Sequence, residues 1–386
     1  MHRILCLNKI SPVGTDRFGS GYEYAEDAQS PDGILVRSAS MHEMTFGENL
    51  KAIARAGAGV NNIPVEACTE QGIVVFNTPG ANANAVKELV IASLFLTSRK
   101  IIPAIDWVKT LKGQGSEVAK LIEKGKSDFA GPEIRGKTLG VIGLGAIGIL
   151  VANAARNLGM TVYGYDPYLS VDAAWNLSHG VQKAVTLEEI FANSDYITLH
   201  LPLTGDTRGM IGTESLPKMK DGVRILNFAR GELVDSGAIL DALTSGKAAA
   251  YATDFPTDEL IGVPNVLAIP HLGASTPESE DNCARMAVDE LKDYLENGNI
   301  RHSVNLPALS MPRGGETRIC ILHKNVPNTL ASLTAVCGKT GINIEHMQSS
   351  SRGSYAYTML DVTGQISETD SQAISALKEV IRIRVI

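Results

Sequence analysis

The chain has little of what marks membrane-bound, secreted or nucleic-acid-binding proteins. None of its 386 residues lie in an apolar run near the ~18 residues of a membrane span, and residues 1–7 are too short for a signal peptide. Its net charge is −7 with acidic and basic residues interspersed, so it lacks the concentrated basic face that nucleic-acid phosphates require. We therefore expect a cytoplasmic protein that binds neither membranes nor nucleic acids.

Cysteine is also scarce, and its spacing shows no pairs. The five cysteines are Cys6, Cys68, Cys283, Cys320 and Cys337, and no C-x-x-C spacing occurs among them. This excludes the usual zinc and redox motifs, so we expect reduced, mostly buried thiols and no metal site. At roughly 150 residues per domain, the length predicts two or three domains.

The segment Gly-Leu-Gly-Ala-Ile-Gly at 143–148 is the most informative motif present. Residues 137–143 read as a short buried strand, and 146–158 carry helical apolar spacing, so the glycines fall at a strand-to-helix turn. A lone glycine triplet also fits a tight loop before a core helix, but this context favours a dinucleotide site. The second glycine cluster, at 57–59, lacks that context and is predicted to be a loop.

Each residue of this motif has a physical role in holding a dinucleotide. Gly143 permits the tight turn, Gly145 lets the backbone approach a pyrophosphate, and Gly148 allows the helix and strand to pack closely. Asp166 follows the next predicted strand, 161–165, about twenty residues beyond the last glycine. Its carboxylate accepts hydrogen bonds from ribose hydroxyls and repels a 2′-phosphate, which favours NAD over NADP as the cofactor.

Three later residues follow predicted strands and form a candidate acid/base group. The planar fork of Arg230 suits a carboxylate, His271 can take a proton, and Glu259 can orient and charge the imidazole. Because ligands bind at the carboxyl ends of strands in open α/β sheets, we expect these side chains to act together. Alternatively, Arg230 is a structural ion-pair partner and Glu259 a solvated loop charge.

The order of strand and helix patterns predicts three domains. Residues 1–97 alternate helical stretches with four predicted strands, at 3–7, 33–36, 51–55 and 73–76. The helical run that starts at Pro277 is expected to pack back on them, giving a discontinuous flavodoxin-like α/β domain of residues 1–97 and 277–306. Residues 98–276 predict a Rossmann-type doubly wound sheet with six parallel strands. Apolar residues at helical spacing predict a helix over 83–99, which bridges into this domain. The segment 105–127 carries only a modest helical pattern.

A third, smaller unit is predicted after a linker. Residues 307–315 contain prolines and glycines with little apolar content, which is typical of linkers. Residues 316–386 follow with the pattern βαββαβ, which predicts a small ferredoxin-like domain whose second helix spans 370–379.

The whole pattern resembles the D-2-hydroxyacid dehydrogenase family. Supporting segments are spread through residues 1–306, and they include Val36-Arg37-Ser38, 57–62, Asn77-Thr78-Pro79 and 136–140. The resemblance implies that Arg230 binds the substrate carboxylate, His271 is the general base and Glu259 supports it, in a crevice between two lobes. It places Asp254 near the nicotinamide amide, and the further cofactor-lining positions it implies are Ala146, Ile147, Phe228, Ala229, His271 and Gly273. The chain departs from the family at Phe255-Pro256, at Leu260 and at Asn61.

The same resemblance implies a phosphorylated substrate. Arg37, Ser38 and Asn82 match family positions near a substrate phosphate and offer a cation and hydrogen-bond donors. We expect oxidation of 3-phosphoglycerate to 3-phosphohydroxypyruvate, with a surface arginine as the plain alternative for Arg37. A hydroxypyruvate or glyoxylate reductase also fits the motifs, as does a non-catalytic scaffold that senses NADH.

The C-terminal unit resembles an ACT domain, a small ligand-sensing module. The segment 323–328, His-Lys-Asn-Val-Pro-Asn, is similar to the effector motif His-x-Asn-x-Pro-Gly of that family. This implies that His323 and Asn325 contact serine, with Asn328 in place of a glycine because Asn tolerates left-handed backbone. A homodimer or homotetramer is implied as well. A purely structural dimerisation domain, or an amino-acid sensor as the main function, stays open.

Overall fold

The computed structural model describes all residues from 1 to 386, and the chain divides into two compact units. One unit combines Met1–Asn82 with Pro277–Ile386, and the other is Ala83–Thr276. The C-terminal residues thus fall in the same unit as the N-terminal ones. The predicted boundaries of three domains stay a prediction.

A parallel sheet forms the centre of the N-terminal residues. Its strands are β1 (His2–Leu7), β2 (Tyr22–Ala25), β3 (Gly33–Val36), β4 (Ala52–Arg55) and β5 (Val74–Phe76), and its short helices are α1 (Pro12–Thr15) and α2 (Val65–Glu70). The order β2-β1-β3-β4-β5, parallel throughout, is that of flavodoxin-like sheets and confirms the predicted fold. The sequence pattern missed β2, because this edge strand is only partly buried and has no continuous apolar run.

The second unit contains a longer parallel sheet. Its elements in chain order are α3 (Ala83–Arg99), α4 (Ile101–Lys109), α5 (Val118–Gly125), β6 (Thr138–Ile142), α6 (Ala146–Asn157), β7 (Thr161–Tyr165), α7 (Val171–Trp175), β8 (Val181–Lys183), α8 (Leu187–Asn193), β9 (Tyr196–Leu199), β10 (Val223–Asn227), α9 (Ser236–Thr244), β11 (Ala248–Thr253) and β12 (Val266–Ala268). The order β12-β11-β10-β9-β6-β7-β8 confirms the doubly wound Rossmann arrangement. The sheet has seven strands, so the expected count of six was wrong. The missed strand, β8, is a three-residue edge strand with two exposed polar residues.

Helix α3 and the segment that follows it differ in how they pack. The predicted helix at Ala83–Arg99 is confirmed, and it buries Val86, Val90 and Leu94 in the core shared by α6 and the sheet. By contrast, α4 has no buried residue, although it is strongly apolar. Across the chain, no helix combines the length and the apolar character that crossing a membrane requires.

The chain then returns to the first unit through a long helix and ends in an antiparallel sheet. These elements are α10 (Pro277–Asn297), β13 (Thr317–Lys324), α11 (Thr329–Thr340), β14 (Ile344–Arg352), β15 (Tyr355–Val362), α12 (Glu368–Ser375) and β16 (Val380–Val385). The order β14-β15-β13-β16 with all neighbours antiparallel confirms the ferredoxin-like βαββαβ pattern. Helix α12 begins two residues before the predicted start at Asp370, because Ser367 and Asp370 form a capping box.

Both faces of the C-terminal sheet are covered. One face packs under α11 and α12, with Ile319, Ile321 and Leu360 in that core. The other face joins the core of the N-terminal sheet and α10 through Leu322 and Met359. The C-terminal sheet therefore completes the hydrophobic core of the first unit.

A buried arginine reinforces that second contact. Arg318 is fully buried and holds Asp361 through two bonds, Nε to Oδ1 at 2.6 Å and Nη2 to Oδ2 at 2.8 Å, and its Nη1 donates to the carbonyl oxygens of Asn297 and Met311. The predicted linker has no regular structure, but Met311 within it is buried. It is therefore a packed connection.

Candidate active site

The glycine turn between β6 and α6 is tight on its protein side and open on the other. Gly143 has a φ of 91°, and a Cβ there would lie 2.4 Å from the carbonyl oxygen of His200. A Cβ on Gly148 would lie 1.9 Å from the carbonyl oxygen of Gly143. A Cβ on Gly145 would meet no atom within 4 Å. Open space therefore lies at the start of α6, where the first N–H groups of the helix have no intrahelical partner.

Asp166 lies beside this turn, directly after β7. Its Oδ2 accepts a hydrogen bond from the N–H of Leu144 at 2.8 Å, and its Oδ1 accepts one from the N–H of Tyr168 at 2.8 Å. These bonds fix the half-buried carboxylate next to the glycines. Because each carboxylate oxygen has a second lone pair, Asp166 keeps acceptor capacity for sugar hydroxyls.

Asp254 follows β11 and is buried with an unsatisfied oxygen. The residue is 1% exposed, its Oδ2 accepts from the N–H of Gly273 at 3.0 Å, and its Oδ1 is buried without a partner. Burial raises the pKa of Asp254, while the Gly273 N–H and the charge of His271 act in the opposite direction. An unpartnered buried acceptor is costly, so this position suits a ligand that brings an N–H donor.

The loop after β10 is shaped by a residue that sequence reasoning missed. Asn227 is fully buried, its Nδ2 donates to the carbonyl oxygen of Arg230 at 2.8 Å, and its Oδ1 accepts from the N–H of Ala229 at 3.2 Å. Phe228 is buried between these positions. The Arg230 side chain is exposed and donates from Nη1 to the carbonyl oxygen of Ala229 at 2.6 Å. The turn thus presents a guanidinium to solvent on a fixed backbone.

His271 and Glu259 lie on the next two loops of the same sheet. His271 is exposed and packs on Phe255, with ring centroids 4.6 Å apart. Glu259 is exposed in the short 3-10 helix Asp258–Leu260, and no hydrogen bond or salt bridge joins it to His271. Since β10, β11 and β12 are parallel neighbours, the loops that carry the candidate triple emerge at one edge of the sheet. The predicted pairing of Glu259 with His271 stays a prediction.

Arg37, Ser38 and Asn82 belong to the other unit. Arg37 directly follows β3 and forms a salt bridge with Glu280, with Nη2 2.5 Å from Oε1. Ser38 is exposed, and its backbone N–H donates to Oδ1 of Asn8 at 3.0 Å, another contact that sequence reasoning missed. Asn82 is half-buried and ends this part of the unit. Their predicted role at a substrate phosphate stays a prediction.

The two candidate effector residues line a cavity of about 450 Å³ beside β13 and α11. His323 is buried with both ring nitrogens engaged, Nδ1 with the carbonyl oxygen of Lys324 and Nε2 with the hydroxyl of Thr358, each at 2.9 Å. Burial lowers the pKa of His323. Asn325 is exposed and donates from Nδ2 to the carbonyl oxygen of Gly353 at 3.0 Å.

Asn328, in the position of the motif's glycine, has a φ of 70°. This confirms that asparagine accepts the left-handed conformation here.

The geometry of the second unit fits an NAD molecule. The open turn at Gly145 offers N–H groups to a pyrophosphate, Asp166 offers acceptors to a ribose, and the unpartnered Oδ1 of Asp254 offers an acceptor to a carboxamide. Among the described residues, no group of His, Cys, Asp and Glu is arranged to hold a metal ion. These positions suit the cofactor that the glycine motif predicts.

Comparison with known proteins agrees with this geometry. Residues 91–273 match the family model described as D-isomer specific 2-hydroxyacid dehydrogenase, NAD binding domain. The chain is 38% identical over 297 residues to the D-3-phosphoglycerate dehydrogenase of Archaeoglobus fulgidus, covering 74% of this chain and 54% of that protein. It is 35% identical over 358 residues to the D-3-phosphoglycerate dehydrogenase of Bacillus subtilis, covering 88% of this chain and 65% of that protein.

Solved structures show the same likeness. The NAD+-bound 3-phosphoglycerate dehydrogenase of Entamoeba histolytica has a TM-score of 0.61 at 29% identity, covering 79% of this chain and 98% of that one. A glyoxylate reductase from Paecilomyes thermophila has a TM-score of 0.65 at 27% identity, covering 78% of this chain and 98% of that one. The chain spans 54% to 65% of the length of the two curated relatives above.

Proposed function

We propose that this chain oxidises 3-phospho-D-glycerate to 3-phosphohydroxypyruvate. The premise is that residues 91–273 belong to the NAD-binding domain family of D-isomer specific 2-hydroxyacid dehydrogenases. The reaction would be the first step of serine biosynthesis, with NAD as the oxidant. The observation that carries the proposal is that Arg230, Glu259 and His271 lie on loops at one sheet edge, and the buried Asp254 lies on the same edge.

The chemistry assigns each of these side chains a role. Arg230, whose guanidinium faces solvent on a fixed turn, binds the substrate carboxylate. His271 takes the proton of the C2 hydroxyl as general base, and NAD, when bound, supplies the hydride acceptor. Glu259 holds the imidazole and stabilises its charged form once the 3-10 helix closes on it, a contact absent from the present conformation.

Two features support the choice of cofactor and substrate. Asp166 favours NAD because its carboxylate would repel the 2′-phosphate of NADP. Arg37, Ser38 and Asn82 supply the phosphate contacts, since the loops after β3 and β5 leave the sheet at one edge. The substrate is therefore proposed to be a hydroxy acid with a phosphate at one end and a free carboxylate at the other.

A steady-state assay tests this function against the reductase and scaffold hypotheses. We expect kcat/KM with NAD and 3-phosphoglycerate to exceed that with unphosphorylated D-glycerate by at least roughly tenfold, the effect of one charge-assisted contact. Equal rates on both substrates would favour a glyoxylate or hydroxypyruvate reductase. Binding of NADH without turnover of any hydroxy acid would favour a sensing scaffold.

The C-terminal module is proposed to bind serine as an effector and to join subunits. Asn325, which is exposed at the cavity beside β13, supports the first role. Since His323 is buried with both ring nitrogens bonded, it would shape the cavity and leave direct contact to Asn325. Calorimetric titration with serine tests this proposal. An absence of binding heat would favour the alternative that the module is a purely structural dimerisation domain.

A homodimer or homotetramer is proposed because α4 exposes a row of apolar side chains. Ile101, Ile102, Ile105 and Val108 are each at least 39% exposed, which is unusual for a surface that stays in water. Ile105→Lys should therefore lower the mass measured by light scattering.

The free, buried state of all five cysteines supports the proposed cytoplasmic location.

A further inference from the structure

Arg37, the proposed phosphate contact, is already paired with a carboxylate. Its Nη2 lies 2.5 Å from Oε1 of Glu280 in the first turn of α10, and both side chains are 42% exposed. Nothing in the sequence motifs pointed to Glu280. The pair joins a strand end of the N-terminal sheet to a helix that enters the unit more than two hundred residues later.

The backbone around Arg37 is held independently of this ion pair. Its carbonyl oxygen accepts from Nε of Arg55 at 3.0 Å. The next two N–H groups, of Ser38 and Ala39, both donate to Oδ1 of Asn8 at 3.0 and 2.7 Å. The guanidinium can therefore change partner by side-chain rotation alone, while the loop that carries it stays in place.

We propose that Glu280 is a positioning residue that holds Arg37 until the phosphate of the substrate replaces it, and that it thereby sets how tightly phosphorylated ligands bind. This rests on the proposed function, because it takes Arg37 as the phosphate contact. A phosphate offers up to two negative charges and three acceptor oxygens, whereas the carboxylate makes a single contact with Nη2. A ligand without phosphate lacks the charge to displace Glu280 and gains nothing from Arg37.

The position of Glu280 makes this exchange reversible. The residue lies in the first turn of α10, where the positive end of the helix dipole stabilises a carboxylate that has lost its partner. Both side chains are also partly solvated, so breaking the pair leaves neither charge buried. The ion pair thus weakens phosphate binding by a moderate amount and favours product release.

Glu280→Gln tests the proposal in the full-length protein. Removing the competing charge should lower KM for 3-phosphoglycerate by roughly three- to fivefold, the range that an exposed ion pair supplies, with kcat changed less than about twofold. The inhibition constant of inorganic phosphate should fall by a similar factor, and KM for D-glycerate should not change. Glu278→Gln is the matched control, because it removes the same charge from the same helix turn without a bond to Arg37.

Three results with the two glutamine variants would overturn the proposal. A rise in KM for 3-phosphoglycerate in Glu280→Gln would mean that Glu280 aligns Arg37 for the phosphate. An unchanged KM, or an equal fall in Glu278→Gln, would mean that the ion pair has no specific effect. Melting temperatures measured alongside separate these outcomes from a loss of folding.

Arg37→Ala distinguishes failure of this inference from failure of the proposed function. It should raise KM for 3-phosphoglycerate only, and Glu280→Gln added to it should have no further effect. If Arg37→Ala leaves every KM unchanged, the phosphate contact itself is misassigned, and the exchange is refuted with it. If Arg37→Ala raises KM but Glu280→Gln changes nothing, only the exchange is refuted.

Discussion

Replacing Glu290 by glutamine should stabilise the protein at neutral pH. Glu290 lies on α10 and is 8% exposed, its Oε1 is 2.5 Å from Nδ1 of His302, and its Oε2 is buried without a partner. Burial, aided by the charge of Asp289, raises the pKa of Glu290 from 4.5 to about 8. Burial also lowers the pKa of His302, so both shifts favour a neutral pair in which the carboxyl O–H donates to the ring nitrogen.

The sign of the pH effect follows from these shifts. Between the unfolded pKa of 4.5 and the folded pKa of about 8, the folded chain binds more protons at Glu290 than the unfolded chain does. Its contribution to the free energy of unfolding therefore falls as pH rises, by up to about 1.4 kcal/mol per pH unit. From pH 4.5 to 7 the loss is at most about 3 kcal/mol, and partial solvation reduces it. A glutamine stays neutral and still offers an N–H donor to His302.

Urea denaturation at about pH 5, 7 and 8 measures this effect. The two proteins should be nearly equal at the lowest pH, and Glu290→Gln should be more stable by about 1 to 3 kcal/mol at neutral pH. Glu278→Gln, an exposed change on the same helix, should show no such divergence. Parallel stability curves for wild type and Glu290→Gln would refute the reasoning, because they would mean that Glu290 is ionised in the folded protein.

Two further predictions concern the cofactor turn and the C-terminal sheet. Gly145→Ala should leave the melting temperature unchanged and weaken NADH binding in a fluorescence titration, since its Cβ enters open space that the cofactor would fill. Gly148→Ala should lower the free energy of unfolding by about 2 kcal/mol or more, since its Cβ would lie 1.9 Å from the carbonyl oxygen of Gly143. Equal effects on folding in the two variants would contradict this. Asp361→Asn leaves the guanidinium of Arg318 buried without its charge partner and should cost about 3 to 5 kcal/mol, read from urea unfolding, whereas a loss under 1 kcal/mol would mean that water reaches the pair.

The sequence predicted the glycine turn between β6 and α6 well because its signals are local. Gly143, Gly148 and Asp166 stand at fixed spacing within one strand-helix-strand unit, and the structure places all three at the turn. The helix at 83–99 was found to the residue, since its apolar positions repeat with helical period. The family match at 91–273 confirmed the resemblance that those motifs carried.

Long-range packing was beyond sequence reasoning. The short edge strands β2 and β8 were not predicted, because neither has a buried apolar run. No sequence pattern indicates that Arg318 donates hydrogen bonds to carbonyl oxygens of the predicted linker. The sequence therefore predicted a linker where the structure has a packed connection. The sequence did not predict the contact of Phe255 with His271 either. It did show that Phe255 departs from the family pattern.

The measurement that tests the central claim most directly is a single-turnover reaction of His271→Asn with NAD and 3-phosphoglycerate. The variant cannot accept the hydroxyl proton at the same position, so the rate of NADH formation should fall by roughly 10³-fold. Binding of NADH should stay within about twofold of wild type, because the groups assigned to the pyrophosphate, the ribose and the carboxamide lie at Gly145, Asp166 and Asp254. A rate close to that of the wild type would contradict the account, since His271 would then not be the base.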